Sequence, residues 1–135
     1  MVKIEISENE VSKRICTLRE TQVMLDRDLA GIYKVEVRVL KRAVRENIER
    51  FPGDFMFELT NEEVENLRSR IWISSLEYSS KQHGGSRHTP FAFTELGVAM
   101  LSSVLGSERA IEIDIEIMRA FVQLRKQPKV QQLEV

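Results

Sequence analysis

Few side chains in this chain have the types and spacing that chemistry requires. Asp26 and Asp28 form a spaced carboxylate pair, yet Leu29, Ile32 and Tyr33 follow at helical spacing. An acid just ahead of such a run accepts the free backbone N–H groups of a helix start, so capping is the simpler assignment. Cys16 sits in an apolar strand-like stretch with no local histidine and reads as a buried thiol. His83 and His88 flank Gly84-Gly85, but no second ligand pair stands at a zinc spacing. Gly31-Ile32-Tyr33 repeats half of a nuclease signature without its Tyr-Ile-Gly companion. Trp72, Phe91 and Phe93 read as core side chains rather than stacking platforms. No catalytic set can be assembled, so the expectation is a protein that is not an enzyme and holds neither cofactor nor metal.

The richer pattern is recognition chemistry. From Asp26 to Arg50 the order of apolar residues fits a helix-turn-helix, with small Ala30 where two helices cross, Val35 in the turn and Leu40 on the second helix. Leu29, Tyr33 and Ala43 complete its core. Glu36, Arg38, Lys41, Arg42 and Arg45 are left facing outward, with Lys34 just before and Arg50 near the end. Guanidinium groups on such a face reach guanine edges and phosphates. The amino-terminal end normally reads bases, which assigns Glu36, Val37 and Arg38 to readout and Arg45 or Arg50 to the backbone. The bland alternative is a solvated amphipathic helix whose cations pair with Glu46 and Glu49. Lys34 stands where many such turns carry glycine, so the backbone there must avoid a positive φ or bear strain. A second basic group, Lys81, His83, Arg87 and His88, lies in a polar stretch from Ser74 to Thr89 that reads as an exposed loop able to lie along phosphates.

These residues need elements to hold them. Residues 14–19 and 23–25 read as two short strands joined through residues 20–22. Asp26 opens one helix. Val37, Leu40, Val44, Ile48 and Phe51 carry a second until Pro52-Gly53 stops it. Phe55 to Leu59 reads as a strand, and Thr60 with Glu63 has the spacing of a capping box for a helix burying Val64, Leu67 and Ile71. Phe91 to Phe93 reads as a strand end, Thr94 as the cap of a helix through Leu105, and Gly106 as its stop. Residues 110–124 alternate as a strand would, yet the absence of Gly and Pro over so long a run favours a helix, capped by Ser107. It carries two apolar stripes, one of Ile111, Ile115, Met118 and Val122, the other of Ala110, Ile117, Phe121 and Leu124. Burial on two sides points to either a central core helix or a subunit contact, the latter making the chain a homodimer.

The whole is expected to be α+β: a single compact domain with a helix-turn-helix-like pair, short strands and a long carboxy-terminal helix. Residues 1–13 read as an extension, 14–127 as the domain and 128–135 as a frayed tail. At 135 residues the chain can bury one core unaided. One cysteine, no secretory leader and no long apolar run fit a cytoplasmic protein without membrane insertion. Twenty Lys and Arg against 21 Asp and Glu leave a net charge of -1, so any affinity for nucleic acid must come from local clustering.

Several ordered blocks, Val23 to Ala30, Asn47 to Phe57, Pro90 to Leu101 and Ser107 to Ile111, resemble the ORF-six-N domain of phage antirepressor-like proteins, related to the KilA-N group. The resemblance runs from about Ile15 to Arg125. It implies a compact α+β domain that binds double-stranded DNA in phage or prophage gene control; the alternative, from the acidic-apolar helix at Ile111 to Leu124 and the neutral overall charge, is an interaction module that binds a repressor protein or another regulator. Two departures stand out: Lys34 replaces the more usual glycine, and the chain ends soon after its last helix, where such proteins often carry an effector region.

Overall fold

The computed structural model describes residues 8–68 and 89–126. Along the chain it runs α1 (Glu8–Ser12), β1 (Cys16–Leu18), β2 (Thr21–Leu25), α2 (Asp26–Tyr33), α3 (Val37–Glu46), a 3₁₀ turn at Ile48–Arg50, β3 (Met56–Glu58), α4 (Asn61–Arg68), β4 (Phe91–Thr94), α5 (Glu95–Leu105) and α6 (Glu108–Lys126). The α+β expectation holds. Ile71, Trp72, Lys81, His83, Arg87, His88 and the tail from Pro128, all singled out in the sequence, lie outside the described residues.

The strands form one antiparallel sheet in the order β1-β2-β4-β3. β1 and β2 make a hairpin pairing Cys16 with Val23 and Leu18 with Thr21. Its two-residue turn falls on Arg19 and Glu20, earlier than the expected residues 20–22, with φ of 53° and 63°. Such a turn matches the twist of the flanking strands but usually takes Gly or Asn. Here tertiary contacts hold Arg19: its guanidinium binds the Glu63 carboxylate at 2.8 Å and lies 4.0 Å from the centre of the Phe57 ring.

β4 is central, and all four of its residues are buried. Phe93 aligns with Met24 on one side and Met56 on the other. Strand alternation sends Met24, Phe91 and Phe93 to the larger core, shared with α2, α3, α5 and α6. Val23, Leu25 and Ala92 point to the opposite face, where Leu59, Val64 and Leu67 of the α4 region cover them. The capping box is formed as expected: Glu63 N–H donates to Thr60 Oγ1 at 3.1 Å and Thr60 N–H to Glu63 Oε1 at 2.8 Å.

Thr94 caps α5 by accepting the Gly97 N–H, and Gly106 ends it at φ 65°. Gly97 has a stricter role, because a Cβ there would stand 2.0 Å from the Phe55 carbonyl oxygen. Residues 110–124 are helical, and Ser107 Oγ accepts the Ala110 N–H at 3.0 Å. Of its two stripes, Ala110, Ile117 and Phe121 are buried, whereas Ile111 and Ile115 are 54% and 47% exposed. Val11 in α1, within the stretch read as an extension, is fully buried in the larger core. The α3 helix is shorter than its apolar spacing suggested. It stops at Glu46, the chain turns through a 3₁₀ segment, and Ile48 is 52% exposed while Phe51 still reaches the core.

Candidate nucleic-acid interface

The α2–α3 pair is built from short-range rules and then clamped by distant residues. Leu29, Ile32 and Tyr33 share one buried face of α2, beside Ala30. At its end Lys34 adopts the left-handed conformation, φ 64° and ψ 46°, and its N–H bonds the Ala30 carbonyl. The Val35 N–H reaches the same carbonyl at 3.0 Å, closing the turn. Glu36 then opens α3 from an extended backbone, and its carbonyl accepts the N–H groups of Val39 and Leu40. Leu40 and Val44 are fully buried, and Val35 and Val37 pack partly buried against the same core. The strained alternative for Lys34 is therefore the one adopted, since a side chain at positive φ crowds its own carbonyl.

The outward positions separate into two groups. Lys34, Glu36, Arg38, Arg42, Arg45 and Arg50 are exposed. Arg38, Arg42 and Arg45 recur at helical spacing on α3 and make one cationic stripe, with Lys34 in the turn ahead of it. Arg38 pairs with Glu36 at 2.9 Å, and Arg45 leans over Phe91, its guanidinium carbon 5.3 Å from the ring centre. Arg50 donates to Ser103 Oγ of α5 at 3.4 Å. Val39, not singled out in the sequence, is 37% exposed beside this stripe. Val37 is half-buried against the core, which turns its side chain away from the face where it was expected.

Lys41 requires a correction, because it is 5% exposed and faces inward. Its ammonium donates to the Thr89 carbonyl at 2.6 Å, lies 3.6 Å from the Asp26 carboxylate and sits 4.6 Å from the Phe91 ring centre. Helical spacing already held the signal: Lys41 stands four residues after Val37 and three before Val44, on the inward face. Asp26 is not the cap its position suggested: Leu25 holds the N-cap position with no side-chain cap bond, and Asp26, in the first turn, is fully buried and accepts the Phe91 N–H at 2.9 Å. Burial pushes its carboxyl up to about 6, against the opposing pull of Phe91 and Lys41, and burial likewise lowers the Lys41 ammonium. Asp28 pairs with Arg14 at 3.2 Å, and burial raises its carboxyl despite that cation. Together these groups tie the start of α2, the middle of α3 and the entrance to β4.

A second buried pair fixes the other end of α2. The Tyr33 hydroxyl donates to Asp114 Oδ1 in α6, and Asp114 Oδ2 has no hydrogen-bond partner among the described residues. Burial raises the Asp114 carboxyl to about 7 and the Tyr33 hydroxyl well above its usual value. A neutral acid is therefore readily accommodated where a charge would be poorly solvated. Cys16 is buried, as expected for a structural thiol. Among the described residues no group of His, Cys, Asp and Glu is arranged to hold a metal ion, and no helix is long and apolar enough to cross a membrane.

The ORF6N domain model matches residues 13–104, from before the hairpin into α5. The chain belongs to the ORF6N domain family. Its matched part includes the whole α2–α3 pair with its clamps from β4, whereas α6 lies beyond the match. The family fits a regulatory domain of phage type. No curated protein and no solved structure matches the chain.

Proposed function

We propose that this ORF6N domain is a non-enzymatic, cytoplasmic DNA-binding regulator that lays α3 in the major groove of duplex DNA, acting as a homodimer. The observation that carries this reading is the exposed stripe of Arg38, Arg42 and Arg45 on a helix whose other side is locked into the core, with exposed Lys34 in the turn ahead of it. A rigid cationic helix presents guanidinium forks at fixed spacing to phosphates and guanine edges, which a mobile basic tail does not. Arg38 and Glu36, near the helix start, are the base readers, and the exposed Val39 supplies an apolar contact for a thymine methyl. Arg42, Arg45 and Lys34 bind phosphates, and Arg50 is a further backbone contact. The basic segment with Lys81, Arg87 and His88 would extend the contact.

Selection of duplexes from a random pool, followed by titration across salt, tests this. Arg42→Ala and Arg45→Ala should each weaken binding to all sequences and reduce the salt slope by about 1. Arg38→Ala should instead relax base preference at one position by about 1–3 kcal/mol. Undetectable binding at low salt would reject the reading.

A second reading, an antirepressor-like module that binds a repressor, is favoured by the half-exposed Ile111 and Ile115 of α6. Competition between DNA and a captured protein separates the two. Sequence-specific DNA binding with no repressor bound at any concentration would remove the second as the principal role.

A further inference from the structure

The outer face of α6 has an apolar seam and an asymmetric distribution of charge. Ile111, Ile115, Met118 and Val122 follow one another at intervals of four, three and four residues, the spacing of a coiled-coil seam. Ile111 and Ile115 are about half exposed, and Met118 and Val122 are half-buried at the seam's lower edge. The seam extends about 16 Å at the helical rise. Its opposite side is already committed, because Ala110, Ile113, Asp114, Ile117, Ala120 and Phe121 are buried in the chain's own core. Along one flank of the seam the charges divide by position: half-buried Glu112 and Glu116 lie in the first half, exposed Arg119 and Lys126 in the second.

We propose that this face binds a second copy of the same chain, with the two α6 helices antiparallel. In a register centred between Ile115 and Met118, Ile111 of one copy meets Val122 of the other and Ile115 meets Met118. The equivalent flanking positions of antiparallel helices then approach each other, and Glu112 of each copy lies beside Arg119 of the other. Two attractive pairs form by symmetry from one sequence pattern, as an isologous interface requires. A parallel pairing would set the two copies of this flank on opposite sides of the seam, where neither pair forms. Arg119 now bonds Glu116 on its own helix at 3.0 Å, and with 64% of its side chain exposed it is free to exchange partners. This inference deepens the homodimer part of the proposed function by naming its surface and register.

Self-association is measured on the full chain without DNA, by sedimentation equilibrium, so that its failure is distinguishable from a failure of DNA binding. The wild-type chain should dimerise. Glu112→Arg or Arg119→Glu alone should raise the dimer Kd by about tenfold or more, since each converts both cross-copy pairs into repulsions. The double variant should return toward the wild-type Kd, and an equimolar mixture of the two single variants should form a heterodimer. Circular dichroism checks that each variant is folded. A folded wild-type chain that stays monomeric into the millimolar range would overturn the proposal. A dimer indifferent to both single substitutions, or a double variant as weak as the singles, would overturn it equally.

Discussion

Lys34 and Lys41 are seven residues apart and have opposite fates. Lys34 stands in the left-handed region, where glycine carries no steric penalty, and its side chain is exposed. Lys34→Gly should therefore stabilise the fold by about 1 kcal/mol, read as a rise of a few degrees in Tm. The same substitution removes one phosphate contact, so its effect on stability and on DNA affinity should have opposite signs. Lys41 lies buried among Asp26, Thr89 and Phe91. Removing it leaves a buried carboxyl without its cation, and Lys41→Ala should destabilise by about 3 kcal/mol in a denaturant titration. Arg42→Ala, one residue on, should leave stability within about 0.5 kcal/mol. A Lys41 variant as stable as the Arg42 variant would contradict the clamp described above.

Among the elements, helices whose ends are marked by local chemistry follow their sequence signals closely. In the Thr60–Glu63 box and the Thr94 cap a side chain bonds a backbone group a few residues away, and at Gly106 the backbone N–H bonds the Ser102 carbonyl from a left-handed conformation. The α3 boundary was less legible, because Ile48 continues the apolar spacing although the chain has already turned at Asn47. Glycines divide on the same principle. Gly31 has open space around it on α2, and Gly31→Ala should stabilise by about 0.5–1 kcal/mol through helix propensity. Gly97 lets α5 touch the Phe55 carbonyl, so Gly97→Ala should lower stability by about 1–3 kcal/mol. Thermal melts of the two variants, shifted in opposite directions, check both statements. Neither sign can be read from residue type, since the atom that decides each belongs to another part of the chain.

For the whole molecule, two buried acids make stability depend on pH in an unusual direction. The Asp26 and Asp114 carboxyls are raised from 3.8 to about 6 and about 7, chiefly by burial. The folded chain thus holds these protons more tightly than the unfolded chain does. Their contribution to stability is fully present below pH 4 and is lost as pH rises through 6 and 7. Asp114→Asn keeps an acceptor for the Tyr33 hydroxyl and abolishes the titration. Denaturation across pH should find the variant more stable than wild type at pH 8, by as much as a few kcal/mol, with the gap closing toward pH 4. A gap independent of pH would argue against a charged, buried Asp114.

Local spacing alone determined the strand and helix types, the Thr60, Thr94 and Ser107 caps, the order of the α2–α3 pair and the two stripes of α6, because each depends on contacts within a few residues. The family was legible as well, since its blocks are linear. Tertiary structure decided which basic residues remain available. Arg38, Arg42 and Arg45 stay at the surface, while Lys41 is drawn in by Asp26 and the Thr89 carbonyl, and Asp114 is spent on Tyr33, 81 positions away. Desolvating a charge is tolerated only where a partner or a proton compensates it, and such partners come from folding together distant segments.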